Sequence, residues 1–290
     1  MNDFAILVDA GTDLPRDFYE KYDVDFIPMT CTMDGRDYTD DAGISLPYKE
    51  FYAEMREGKV FKTSMINTEV YGEWFRKYLD AGRDLLAITL SSGISSSYNA
   101  ARMTADELRG QYPDRKLIVV DGLNASMGGG LVAFYAQKRR SEGMTIEETA
   151  EWLEQNKKNI QHLFTVDDLM FLHRGGRVGK GTAVLGTLIG VKPLLDVDPE
   201  GRLRSCSKKR GRKGALDGLV SWMGELTVSD SFDCVMVSHG DCEEDADYVI
   251  KKVTERFKVE QIFKNYIGPT IGAHSGPGTV ALFFYGKERV

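Results

Sequence analysis

The groups in this 290-residue chain best suited to chemistry are clustered hydroxyls. The apolar run Leu85-Leu86-Ala87-Ile88-Thr89-Leu90 ends abruptly in Ser91-Ser92-Gly93-Ile94-Ser95-Ser96-Ser97, and helix-forming residues follow from Tyr98 to Arg102. Such a run reads as a buried parallel strand. The serines then fall where the next helix must begin, and there hydroxyls accept from backbone N–H groups that lack an intrahelical partner. A helix start also carries partial positive charge, so donors converge on whatever lies above the strand end. A carboxylate or phosphate suits that place. A plain helix cap and filled turn would use the same residues. Lys62-Thr63-Ser64-Met65 is a second hydroxyl-bearing loop. The third candidate is His274, whose neighbours Ile271-Gly272-Ala273 and Ser275-Gly276-Pro277-Gly278 are mostly small and turn-forming. They predict an imidazole held in a loop that other backbone can approach closely. A structural hydrogen bond and a ligand contact both fit it.

Other motifs fall away on inspection. Gly175-Gly176-Arg177-Val178-Gly179-Lys180-Gly181-Thr182 is not a phosphate loop, because Lys180 is followed by Gly181 and Arg174 stands where a glycine is required. Gly128-x-Gly130-x-x-Ala133 mimics a dinucleotide fingerprint but lies several residues beyond its strand, with no strand-borne acid at the right distance. These glycines are expected to let a helix pack close to a sheet. Gly93 to Ser97 is one glycine short of a nucleophile elbow. His162, His173, His239 and His274 show no metal-ligand spacing, so no metal is expected. The dense basic run Lys208-Lys209-Arg210-Gly211-Arg212-Lys213 reads as a solvated face or as a docking surface for an acidic or phosphate-bearing partner. Four apolar helical faces are candidates for core or for a ligand tunnel: Phe51 with Met55, Phe75 with Leu79, Phe134 with Tyr135, and Leu185 with Leu188 and Ile189.

The elements that must hold these groups alternate along the chain. A strand at Phe4 to Val8 precedes a helix opened by Leu14-Pro15. Val24 to Met33 reads as one strand, closed by the turn signal Asp34-Gly35. Ser45 is expected to cap a helix running towards Met55. An amphipathic run Val70 to Leu79 precedes the central strand, and Leu117 to Asp121 is another buried strand. Met127 to Arg140 reads as an apolar helix, and Thr145-Ile146-Glu147-Glu148 is a capping box. Short apolar strands alternating with helices predict a parallel α/β unit. Beyond about residue 160 the pattern changes. Strand-like Leu163 to Val166 is followed by helical Asp168 to Leu172 and by an apolar helical face over Thr182 to Ile189. A hairpin is expected around Asp198-Pro199-Glu200-Gly201, then helices over Lys213 to Leu226 and Glu243 to Phe257. A hairpin among alternating helices predicts a mixed sheet. The expectation is two α/β domains, 1–160 and 161–290.

Hydrophobic residues make up 42% of the chain and charged residues 28%, the balance of an ordinary globular protein. No apolar run approaches the ~20 residues of a membrane span. The start Met1-Asn2-Asp3-Phe4 lacks a basic region, so no signal peptide is expected. Cys31, Cys206, Cys234 and Cys242 are scattered and predict reduced thiols in a cytoplasmic protein. A net charge of −7 argues against a nucleic-acid partner.

Taken together, several of these segments resemble the DegV family of bacterial proteins. The matching residues are Ile6-Leu7-Val8-Asp9 with Asp13-Leu14-Pro15; Lys62-Thr63-Ser64; Ser91-Ser92-x-Ile94-Ser95 with Tyr98-Asn99-x-Ala101; Val119-Val120-Asp121; Gly175-Gly176-Arg177-Val178; Lys192-Pro193-Leu194-Leu195; and Ile271-Gly272-Ala273-His274-x-Gly276-Pro277-Gly278-Thr279. They run in order from one end of the chain to the other.

The resemblance implies a long-chain fatty acid, such as palmitate, stearate or oleate, buried between two α/β domains. It implies no cofactor and no catalysis by the chain itself. A separate fatty acid kinase would turn the presented carboxylate into an acyl phosphate for phospholipid synthesis. Thr63 and Ser95 would hold the carboxylate, with His274, Ser64 and Ser96 beside it. Arg177 and Arg210 would face the kinase. The chain departs from the family pattern at Ala10, where a serine is usual, at Met65-Ile66, where Gln-Pro is usual, and at Ser96-Ser97, where Gly-Thr is usual. Met65 and Ser96 bear on pocket shape, hence on the acyl chain preferred. Two other readings stay open. One is a substrate-binding subunit like that of dihydroxyacetone kinase, in which His274 would bond covalently to substrate. The other is a lipid-independent docking module acting through Lys208 to Lys213.

Overall fold

In the computed structural model, residues 4–179 and 190–290 are described. Strands β1 (Phe4–Asp9), β2 (Val24–Ile27), β6 (Asp84–Thr89) and β7 (Leu117–Asp121) form a parallel sheet in the order β2-β1-β6-β7. Both faces of its central strands are buried. Ile6, Val8, Leu86 and Ile88 enter one core, and Ala5, Leu7, Leu85 and Ala87 enter the other. A period of two with apolar residues on both faces produces the continuous apolar runs seen in the sequence.

Helices α3 (Thr68–Asp80) and α4 (Ser97–Arg109) cover one face through Tyr71, Phe75, Ala101 and Ala105. Helix α1 (Arg16–Tyr22) covers the other with Phe18 and Tyr19, together with α5 (Met127–Ser141) and α6 (Ile146–Asn156). The chain therefore leaves β1 and β6 towards opposite faces. The crevice between their carboxyl ends is a topological switch point, where open α/β sheets bind ligands.

The second sheet is mixed and has six strands: β8 (Ile160–Thr165), β9 (Val191–Val197), β10 (Leu203–Arg210), β11 (Ser231–His239), β12 (Lys258–Tyr266) and β13 (Val280–Tyr285), in the order β10-β9-β8-β13-β11-β12. Its outer face packs on helices spanning Gly211–Leu226 and Glu243–Arg256. The turn between β9 and β10 is the expected hairpin, closed by Asp198 N–H donating to the Arg202 carbonyl at 2.8 Å. Helix α5 lies between the two sheets, and Met127 to Ala136 are all buried. Its glycines have the packing role expected of them. A Cβ at Gly128 would lie 2.0 Å from His162 Nε2, and one at Gly130 would lie 2.6 Å from Leu14 Cδ2. The capping box also forms: Thr145 N–H donates to Glu148 at 2.8 Å and Glu148 N–H to Thr145 Oγ1 at 3.2 Å.

Several expectations are corrected. Val24 to Met33 is two strands in two sheets, broken at Pro28, which has no N–H for a ladder. The second part, β3 (Met29–Met33), joins β4 (Arg36–Asp40) and β5 (Lys62–Thr63) in an antiparallel sheet ordered β4-β3-β5. Lys62-Thr63 is thus strand rather than loop. Ser45 does not cap α2 (Tyr48–Arg56), which starts after Pro47; its N–H donates instead to Asp41 at 2.8 Å. Of the two readings left open for the apolar helical faces, Phe75 with Leu79 and Phe134 with Tyr135 take the core one. Thr182 to Ile189, with Leu185 and Leu188, lie outside the described residues. Among the described residues, no helix is long and apolar enough to cross a membrane.

Candidate functional site

The carboxyl end of β6 is tied down by carboxylates. Leu90 N–H donates to Asp9 Oδ2 at 2.7 Å, and Ser92 N–H to Asp121 Oδ1 at 3.1 Å. Each aspartate ends a neighbouring strand, so the parallel register brings both beside the serine loop. Burial raises the Asp9 pKa to about 6 despite its two N–H donors, Leu90 and Gly11. The serines divide by role. Ser91 is buried, and its hydroxyl donates to the Gly201 carbonyl at 2.8 Å. Ser97 Oγ accepts from Ile66 N–H at 3.3 Å, which joins the two hydroxyl-bearing segments. Ser96 occupies the cap position of α4 without a side-chain bond, contrary to the simple capping expectation. The local turn is closed one residue earlier, by Ser97 N–H donating to Ser95 Oγ at 3.2 Å.

His274 lies on a helix, not in the expected loop: α10 (Pro269–Ser275), which follows α7 (Met170–Arg174) and the two helices on the second sheet, α8 (Gly211–Leu226) and α9 (Glu243–Arg256). Proline at its first position suits a helix start. Two buried carboxylates take its first N–H groups: Gly268 N–H donates to Asp13 Oδ1 at 2.8 Å, and Thr270 N–H to Asp40 Oδ2 at 2.9 Å. Burial raises both acids, Asp40 to about 6 and Asp13 well above the carboxylate range. Gly272 lets α10 sit against Tyr52, where a Cβ would lie 2.7 Å from the phenol oxygen. At the other end of the helix, His274 Nε2 and Thr63 Oγ1 are 2.7 Å apart. Burial, and then the Arg177 charge, pull the His274 pKa down to about 4, so the ring is neutral at pH 7.

These elements surround one cavity of about 760 Å³, within the size range of small-molecule sites. Thr63, Ser64, Ser95, Ser96 and His274 all line it. Opposite them, the inner face of the second sheet supplies Phe164, Val197, Leu203, Ala281 and Phe283. Alternation on β13 explains this wall: Ala281 and Phe283 face inward while Leu282 and Phe284 face the outer helices. Of the four helical faces singled out in the sequence, none among the described residues lines this cavity; Met55 lines a smaller one beside it.

The two arginines part company. Arg210 is exposed on β10, outside both cavities. Arg177 is half-buried and lines the large cavity, with Nε donating to the Ile94 carbonyl at 3.3 Å and Nη1 to the Gly175 carbonyl. Among the described residues no carboxylate pairs with it, and burial lowers its pKa. A half-buried cation without a counter-charge is the feature that sequence reasoning underrated, since Arg177 gave no sign there of facing inward. Asp9, Asp13 and Asp40 were also missed as supports. Asp9 and Asp13 fall within the segments that resemble the DegV family, but the local signal of all three is position at or just beyond strand ends. Among the described residues, no group of three His, Cys, Asp or Glu side chains can hold a metal.

The family described as "uncharacterised protein, DegV family" has a model that matches residues 3–287. A DegV domain-containing protein of Clostridium perfringens is 35% identical over 289 residues, covering 100% of this chain and 99% of its own. A Thermotoga maritima protein whose structure was described as revealing fatty acid binding is 30% identical, with a TM-score of 0.86 over 99% of this chain and 100% of that one. A fatty-acid-binding DegV family protein of Thermus thermophilus is 27% identical, with a TM-score of 0.88 over 98% and 99% of the two chains. With its whole length matched in both sequence and fold, the chain belongs to the DegV family.

Proposed function

We propose that this protein binds a long-chain fatty acid in the large cavity, with the tail against the second sheet and the carboxylate at Thr63, Ser95 and His274. The observation that carries this reading is the polarity of one cavity: hydroxyls, an imidazole and a guanidinium with no carboxylate partner among the described residues on one wall, and mostly apolar side chains, with His162 and Arg202 among them, on the other. The fatty acids bound by the Thermotoga and Thermus relatives support it. A fatty-acid carboxylate titrates like Glu and is charged at neutral pH. Buried, it needs donors, and hydroxyls with one shared cation supply them. At ~0.8 kcal/mol per buried CH₂, about fifteen methylenes contribute on the order of 12 kcal/mol gross. Association and ordering costs offset several of these. The tail gives affinity and the head group gives orientation.

Ser64 and Ser96, exposed at the rim, are assigned to the carboxylate end. Arg177 is assigned to the carboxylate as a charge partner, as well as to the face a kinase would meet; exposed Arg210 is left to docking alone. In this reading the chain consists of two α/β domains, 1–160 and 161–290, and presents the carboxylate to a separate fatty acid kinase that forms the acyl phosphate. Native mass spectrometry of the purified protein tests the ligand. A non-covalent mass matching a C14–C18 fatty acid, lost on denaturation, is expected. A protein that stays apo after incubation with fatty acids would overturn the reading. Phosphate transfer to the bound acid by an added kinase of this class tests the second half.

A further inference from the structure

We propose that the smaller cavity beside the fatty-acid site is a second anion site, built for a phosphate-class oxyanion. It measures about 280 Å³ and is lined by Lys59, Lys62, Arg174 and Arg177 over an apolar floor that includes Met55 and Phe171, with no acidic residue among the described residues of its lining. It shares Thr63, Arg177 and His274 with the large cavity. An oxyanion here therefore lies across the Thr63–His274 pair from the carboxylate of a bound fatty acid.

Two observations fit a phosphate better than a second carboxylate. The first is charge. A phosphate monoester carries about −1.5 to −2 near neutral pH and offers three acceptor oxygens, which suits several cations at once. The second is that these cations are available. Among the described residues, Lys62 and Arg177 form no ion pair. Arg174 stacks on the Phe171 ring at 4.6 Å with only a 3.4 Å contact to the Met170 carbonyl. Lys59 meets Asp34 at 2.8 Å, but both side chains are well exposed, so this pair holds it weakly.

The phosphate has two possible sources with one chemistry: the free ion, or the phosphoryl group of a fatty acyl phosphate occupying both cavities. The second rests on the fatty-acid reading; the first does not. The experiment is calorimetric titration of the full chain and its Lys62→Ala/Arg174→Ala variant with palmitate, inorganic phosphate and a long-chain β-ketophosphonate, a non-hydrolysable acyl phosphate analogue. His274 ring resonances are followed in parallel. Both substituted side chains are exposed and outside the large cavity, so the variant is expected to fold and to bind palmitate within about twofold of the parent. The ketophosphonate is expected to bind it at least tenfold more weakly. Saturable movement of the His274 signals by inorganic phosphate in the parent alone identifies the free ion as a ligand. If phosphate leaves His274 unmoved and the ketophosphonate loses no more affinity than palmitate, the proposal is wrong. If neither lipid binds the parent, the fatty-acid reading fails, and the phosphate titration alone decides this site.

Discussion

The two cavities share three residues yet are built on opposite electrostatic principles. The large one has mostly apolar walls and, in the proposed reading, meets charge with hydroxyls, a neutral imidazole and a half-buried guanidinium. The small one opens among exposed lysines and an exposed arginine. Depth accounts for the difference. A full cation loses hydration when buried, and without a partner it is costly. Near the surface the same charge stays hydrated and costs little. Deep recognition of an anion therefore relies on oriented dipoles, and shallow recognition on net charge.

The sharpest way to break this contrast is to remove the dipoles. In the proposed reading, Thr63→Ala with Ser95→Ala takes away two hydrogen bonds to the bound carboxylate, at about 1.5 kcal/mol each or more. Fatty-acid affinity is expected to fall by roughly a hundredfold, read by calorimetry; unchanged retention would sink the carboxylate assignment. Next in size is the support behind His274. Asp40→Ala leaves the buried Thr270 N–H without its acceptor and is expected to cost about 1–3 kcal/mol in denaturant unfolding, with weaker lipid binding as α10 loosens.

Arg177→Gln should weaken fatty-acid binding by about tenfold, the effect of roughly one charge-assisted hydrogen bond. It should also raise the His274 pKa above about 4, because the Arg177 charge is the second cause of its depression. Burial, the larger cause, should keep it below 6.5. A ring titration by NMR that showed no rise would remove Arg177 from the head-group site.

The smallest effects are in pH. A bound carboxylate beside His274 should raise its pKa, so binding takes up protons between about pH 4 and 6.5; buffers of different ionisation enthalpy reveal this. In the free protein, His274 has a depressed pKa, so its stability contribution is present above pH 6.5 and lost as pH falls towards 4. Asp9 and Asp40 act with the opposite sign. Raised to about 6, they favour the folded state below about pH 4, and that contribution is lost as pH rises through 6. Asp40→Asn should remove its share of that slope, visible in unfolding curves taken from pH 4 to 7.

Much of the framework was legible along the chain because its signals are local. β6 and the hydroxyl cluster, the capping box at Thr145 and the hairpin at Asp198 each depend on residues within a turn or strand. Apolar runs without alternation required a sheet buried on both faces, and the structure has one. The break at Pro28 was also local, since a missing N–H is written in the residue, although the strand expectation ran across it. What tertiary structure alone decided is who meets whom. Thr63 and His274 are 211 positions apart and touch because β5 and α10 converge. Asp13 and Asp40 hold α10 across more than two hundred residues. The inward aim of Arg177 follows from its carbonyl partners at Ile94 and Gly175. Local sequence sets propensity and periodicity, whereas charge pairing and cavity shape depend on packing between distant elements, which no short stretch of chain encodes.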